Sequence, residues 1–311
     1  MKRLVLATAI ATFVLIIVGG VVRVSDSGLG CGPAGSGFHG WPFCNGDVVP
    51  GVNLHSIVEY THRAVAGIVT ILIVSIVVQA WRRHREFLMP AIGLLGLVLA
   101  QAALGGATVE DNLEEAYVAA HLCLAMLLLG GLIWLYRAAS GATVTDGGPR
   151  IRVLGIAASV AVLCTIVAGG YMAGTQNYGR ADYQLGDGAH HACGKEFPTC
   201  NGEFMPFGKA RLVDIHLAHR AFMYLAAILV ISLVVVALRR GVVTRWAWGL
   251  AALLAAQILV GALNVWLDEY ELLIVLHLAL GTLLWAGTLG LTLQLAPARE
   301  RAHGRAEAVA A

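Results

Sequence analysis

The residues able to do chemistry in this chain are four histidines and one carboxylate, set in otherwise apolar sequence. In LHSIVEYTHRAVAGIVTIL, residues 54–72, His55, Glu59, His62 and Ala66 are spaced i, i+4, i+7 and i+11, so a helix carries them on one face. Residues 211–229, RLVDIHLAHRAFMYLAAIL, repeat the His-Arg-Ala core with His219 in the place of His62 and His216 in the place of Glu59. His121 and His277 form a second matched pair further along. Two facing imidazoles suit the axial positions of haem iron, which helix bundles hold in their cores. Zinc wants three or four ligands, and Glu59 is the one obvious third group. Copper favours a nearby Met or Cys, and Cys123, two residues from His121, falls on another helix face. A single His in a membrane helix is as readily an interhelical hydrogen bonder, but four at equivalent positions of two repeats argue for a ligand set.

The elements that must position these groups are membrane-crossing helices. The 311 residues are 58% hydrophobic and 13% charged, against roughly 25% charged in a soluble domain. Apolar runs long enough to span lie at 4–22, 55–80, 89–107, 113–136, 151–172, 214–238, 243–265 and 270–294. The first follows Lys2 and Arg3 as a signal peptide would, but it has no A-x-A site and is read as a retained span. Lys2, Arg3, Arg82, Arg83, Arg85, Arg137, Arg150, Arg152, Arg239, Arg240, Arg245, Arg299, Arg301 and Arg305 fall at alternate ends of the spans. By the positive-inside rule these ends, and both termini, are expected in the cytoplasm. Acidic residues such as Asp26, Asp47, Glu110, Asp182, Asp187, Asp268 and Glu269 occupy the opposite, outer connections. Cys31 with Cys44 and Cys193 with Cys200 lie in outer loops, where paired cysteines read as disulfides. Neither pair is C-x-x-C, which favours structural bridging over redox exchange.

The repeat covers most of the chain. Segment 18–46 corresponds to 167–202, each a span, a Gly-rich loop and a closing Cys-Asn-Gly. Residues 97–125 align with 253–281, placing Gln101 on Gln257, Gly105 on Gly261 and His121 on His277. The offset is 157 residues from His62 to His219 and 156 from His121 to His277. With four spans per half, both halves enter the membrane in the same direction. The expected fold is therefore an all-α integral membrane protein of eight transmembrane helices, arranged as two parallel-repeat four-helix bundles. Residues 1–137 form the first half, 138–150 a cytoplasmic linker, 151–294 the second half and 295–311 a cytoplasmic tail, Ala- and Arg-rich and expected to be disordered. Long outer loops at 23–53 and 173–213 mark the outer face as the working one. His62 and His121 then sit near 11 Å below it, at about 1.5 Å per residue.

Glu59 is the asymmetric feature, since the other half has His216 there. A carboxylate one turn from an axial His can accept protons or stabilise positive charge, or simply begin a helix in water. Arg63 and Arg220 can meet propionates bidentately or bond loop groups. His55 and His216 are either second-shell to a cofactor or interfacial, while His39, His84, His190, His191 and His303 are expected in solvent.

The eight spans, the Glu-Tyr-Thr-His-Arg run at 59–63, the His-Leu-Ala-His-Arg run at 216–220, His121 and His277 in the fourth spans, and one cysteine pair per half resemble the haem A synthase family, bacterial type, over about residues 4–294. The resemblance implies an oxidoreductase that takes haem o as substrate and converts its C8 methyl to the formyl of haem A for terminal oxidases. Two successive hydroxylations give a geminal diol that loses water. It implies that His219 and His277 ligate a haem b, that His62 and His121 face the iron of the substrate haem, and that Glu59 beside it is catalytic. His216, Arg63 and Arg220 would support these ligands. Cys31 with Cys44 and Cys193 with Cys200 match the family's loop pairs. The implied setting is a bacterial cytoplasmic membrane, with the lipid bilayer, haem o synthase and oxidase assembly factors as partners and no nucleic acid. Two other classes fit part of the pattern: a dihaem cytochrome b type electron carrier, which leaves Glu59 without a task, and a thiol-oxidising protein using the loop cysteines.

Overall fold

A computed structural model describes residues 1–142, 145, 148–175, 188–267 and 271–295. The tail from Pro297, with Arg299, Arg301, His303 and Arg305, lies outside the described residues, as do Asp182, Asp187, Asp268 and Glu269. The described residues form an all-helical protein with eight helices long and apolar enough to cross a membrane. They are α1 (Lys2–Val24), α2 (Leu54–Arg83), α3 (Leu88–Glu110), α4 (Glu115–Ala139), α5 (Gly148–Gly174), α6 (Arg211–Arg239), α7 (Thr244–Trp266) and α8 (Glu271–Gln294). In hydrocarbon every backbone donor and acceptor needs a partner within its own segment, which is why each apolar run closes into a helix. The helices overrun several of the expected spans; α2 reaches Arg83 because its last turn carries Arg82 and Arg83, basic side chains that suit a helix C-terminus. At its other end the Asn53 side chain accepts the His55 backbone N–H at 2.9 Å.

Each helix packs on its sequence neighbour, α4 returns to α1, and α8 returns to α5, so the contacts close two rings of four. The rings meet where α4 packs on α5, α1 on α8, and α4 on α8. Small residues let these helices approach: Gly170 lies against Leu122 and Ala119, Gly20 against Leu278, and Gly130 against Trp285. Arg23 crosses the seam and donates to the Ala173 carbonyl at 2.7 Å through Nη2. At the same end Arg211 pairs with Glu115.

The apolar cores occupy the end of the molecule opposite the cysteine loops. In the first ring the buried cluster comprises Val5 of α1, Val69 to Ala80 of α2, Ala91 to Val98 of α3, and Leu128 to Leu135 of α4. In the second it draws on Ile151 to Val162 of α5, Ala226 to Ala237 of α6, Ala247 to Leu254 of α7 and Leu284 to Leu291 of α8. Both clusters stop short of His62, His121, His219 and His277, which lie between the apolar core and the loops and remain half-buried.

A Cβ on Gly174 would lie 2.4 Å from the Glu115 Cα, and backbone cannot yield as a side-chain tip can. Gly174→Ala is expected to cost about 1–3 kcal/mol of stability. Gly67→Ala, facing open space on α2, is expected to be neutral. Thermal unfolding in detergent measures both, and equal midpoints would refute the tight seam.

Candidate functional site

Each of the four histidines is seated on a glycine of the preceding helix. A Cβ built on Gly19 of α1 would lie 3.1 Å from His62 Cε1, and one on Gly105 of α3 would lie 3.1 Å from His121 Cε1. The matching distances are 3.0 Å from Gly169 of α5 to His219 and 2.8 Å from Gly261 of α7 to His277. In all four contacts Nδ1 is the second-nearest atom and Nε2 the third, so the Cε1 corner of each ring faces the glycine-bearing helix. The His219 and His277 rings stand 6.5 Å apart between centroids, inclined at 67°. His219 Nδ1 is 3.0 Å from the Thr165 carbonyl oxygen. The buried Nδ1 atoms of His62, His121 and His277 have no hydrogen-bond partner among the described residues. Gln257 of α7 sets its Nε2 3.2 Å from His277 Nε2, whereas Gln101 of α3 donates to the His121 backbone carbonyl at 2.9 Å.

Above the histidines, each loop is pinned by one Arg. Arg63 donates through Nη1 to the carbonyls of Gly40 and Phe43, both at 2.7 Å. Arg220, 3% exposed, donates to the carbonyls of Thr199 at 2.8 Å and Glu196 at 2.7 Å, with the Phe197 ring 5.4 Å from its guanidinium carbon. Of the two partners open to these arginines, the structure gives them loop backbone. The segments they hold contain the cis bonds Trp41–Pro42 and Phe197–Pro198, beside the bonded pairs Cys31–Cys44 and Cys193–Cys200.

The position one turn earlier pins each loop a second time, with opposite polarity. Glu59, 4% exposed, accepts the Cys31 backbone N–H at 2.7 Å and pairs with Arg63. His216, equally buried, places Nδ1 2.7 Å from the Ala189 carbonyl and donates to it. An acid serves where the loop offers N–H, and an imidazole where it offers C=O. His55 is exposed, with Nδ1 3.2 Å from Ser27 Oγ.

One histidine departs from its expected solvent position. His190, in the 3-10 turn Ala189–Cys193, has its Nδ1 buried. Burial first, then the neighbouring His216 and His219, hold its imidazole well below the ordinary range. No spacing signal marks it, since the loop folds down onto α6 only in three dimensions. The four seating glycines were visible only as residues that align between the halves; their contact with imidazoles was not.

The family model described as a cytochrome oxidase assembly protein (COX15-CtaA) matches residues 52–289. The chain belongs to the haem A synthase family. It is 31% identical over 288 residues to the haem A synthase of Symbiobacterium thermophilum, covering 85% of each chain. With the haem A synthase of Halalkalibacterium halodurans it shares 30% identity over 244 residues, which is 74% of this chain and 72% of that one. The enzyme of the same name from Bacillus cereus is 24% identical over 292 residues, 89% of this chain and 87% of its own. The multi-pass helical architecture agrees with a membrane-bound family.

Arg63→Lys and Arg220→Lys should each lose carbonyl contacts, because an ammonium cannot span two acceptors as the planar guanidinium does. A loss of about 1–3 kcal/mol is expected, together with faster amide hydrogen exchange at residues 40–46 or 196–203. Unchanged exchange in either loop would refute the clamp.

Proposed function

We propose that this chain is the haem A synthase of a bacterial cytoplasmic membrane, oxidising the C8 methyl of haem o to a formyl group by two successive hydroxylations and loss of water. The observation that carries the reading is the set of four glycine-seated imidazoles, two in each ring of helices. Two metal–imidazole bonds of about 2.0 Å, each extended by roughly 1.1 Å to the ring centre, would put two rings that share a metal about 6.2 Å apart. The observed 6.5 Å between His219 and His277 fits haem iron between them. The two closed rings of helices support a parallel repeat of one haem-binding unit, with residues 1–137 as the substrate half and 151–294 as the haem b half.

In this reading His219 and His277 hold haem b, which supplies reversible one-electron chemistry to the other half. His62 and His121 face the iron of the substrate, haem o. Glu59 lies one turn from His62 and holds its carboxylate between Arg63 and the Cys31 N–H. Its task is to accept protons as the methyl carbon is oxidised. Arg63 and Arg220 keep the two loops closed over the sites and water away from them. The disulfides fix the loop segments that Arg63 and Arg220 hold. The Arg-rich helix ends lie in the cytoplasm with both termini, and the loops face outward.

Purified protein is expected to release haem b together with haem o, a hydroxylated intermediate or haem A on acid extraction and chromatography. Haem b alone at two per chain, with haem o available, would instead identify an electron carrier. Glu59→Gln keeps an acceptor for the Cys31 N–H and removes the charge. It should retain haem and lower haem A formation by about 100-fold or more, the low end of general-base contributions. Full turnover in Glu59→Gln would remove the catalytic role of this carboxylate.

A further inference from the structure

The four imidazoles share a seat but not a hydrogen bond, and the one ring that makes the bond, His219, lies in the half proposed above to keep its haem. Each seating glycine lies four residues after a carbonyl on its own helix: Leu15 before Gly19, Gln101 before Gly105, Thr165 before Gly169 and Gln257 before Gly261. A helical carbonyl already accepts the N–H four residues on, and its second lone pair is free for another donor. The glycine matters because a side chain there would stand between that lone pair and an approaching ring. At Gly169 the approach succeeds: His219 Nδ1 lies 3.0 Å from the Thr165 oxygen, and a Cβ would intrude to 3.2 Å from Nδ1. In the same half His277 Nδ1 has no hydrogen-bond partner among the described residues, and His277 meets Gln257 side chain to side chain, Nε2 to Nε2 at 3.2 Å. In the other half the rings stand off further, with 3.6 Å from the built Gly19 Cβ to His62 Nδ1 and 3.7 Å from Gly105 to His121 Nδ1. Neither of those Nδ1 atoms has a partner among the described residues.

An Nδ1–H donated to a carbonyl fixes the tautomer that leaves Nε2 as the ligand. It also gives the ring imidazolate character, which strengthens the metal bond. We propose that the His219–Thr165 bond, admitted by Gly169, makes the C-terminal haem resident, and that its absence at His62 and His121 leaves the N-terminal haem exchangeable. A synthase needs both behaviours in one chain, since it must release its product yet keep its cofactor. Thr165 and Gly169 are positioning residues, acting through His219. The inference rests on the functional reading above.

The test loads the purified full chain with haem b at both sites and follows capture by excess apomyoglobin in detergent. Two release phases are expected from wild type, with His219→Ala removing the slow one and His62→Ala the fast one. Gly169→Ala should accelerate the slow phase about 10- to 100-fold, the usual cost of losing such a supporting bond. It should also raise the reduction midpoint of the slowly released haem, because a less imidazolate-like ligand stabilises ferric iron less. Gly67→Ala, facing open space, should change neither. A single phase, or a slow phase that disappears with His62→Ala, would overturn the proposal even if Gly169→Ala cannot be folded. So would a folded Gly169→Ala protein with unchanged release and midpoint. A wild-type chain that takes up no haem would overturn the functional reading itself, and this proposal with it.

Discussion

The structure depends on how closely an imidazole can approach a neighbouring membrane helix. A histidine in hydrocarbon is costly unless its polar atoms are satisfied or put to use. Here the approach is set by one missing side chain per ring, at Gly19, Gly105, Gly169 and Gly261. The glycine lets the Cε1 corner of the ring approach the helix backbone. The rest follows from keeping that contact. The helix pairs α1–α2, α3–α4, α5–α6 and α7–α8 must be adjacent, and they are. The fully buried apolar residues lie mainly toward the far end of the bundle, away from the cysteine loops.

The loops are held to the same helices that carry the histidines. Arg63 and Arg220 each follow a site histidine by one residue, so the side chain adjacent in sequence but turned about 100° around the helix closes the loop above. One turn toward the loops, Glu59 and His216 make the second attachment. Coupling loop and ligand through one helix turn means that a disturbance of either loop reaches the imidazole below it. It also explains why an ion pair inside a membrane helix is tolerated: the Glu59–Arg63 pair has backbone partners on both sides, which supply the hydrogen bonds that a buried charge pair needs.

The two halves share a plan and differ at positions 59 and 216. An acid at position 59 and an imidazole at position 216 answer opposite backbone groups. The seam between the halves is built from small residues and a few cross-links, with Arg23 on Ala173 and Arg211 on Glu115.

Most of the architecture was legible in the residues alone. Twenty-residue apolar runs force helices because hydrocarbon offers no other partner for the backbone. The offsets of His62–His219 and His121–His277, within one residue of each other, singled out the four histidines from eleven, and cysteines in outer loops pointed to two bridges. What only the tertiary structure decided is which partner each polar group meets. The sequence left Arg63 and Arg220 a choice between ligand and loop, left His216 between second shell and interface, and put His190 in solvent. These choices turn on whether a loop folds down onto a helix end, a long-range contact with no local period. The difference between His219 and the other three rings is a few tenths of an ångström in how two helices pack, and no residue type encodes that.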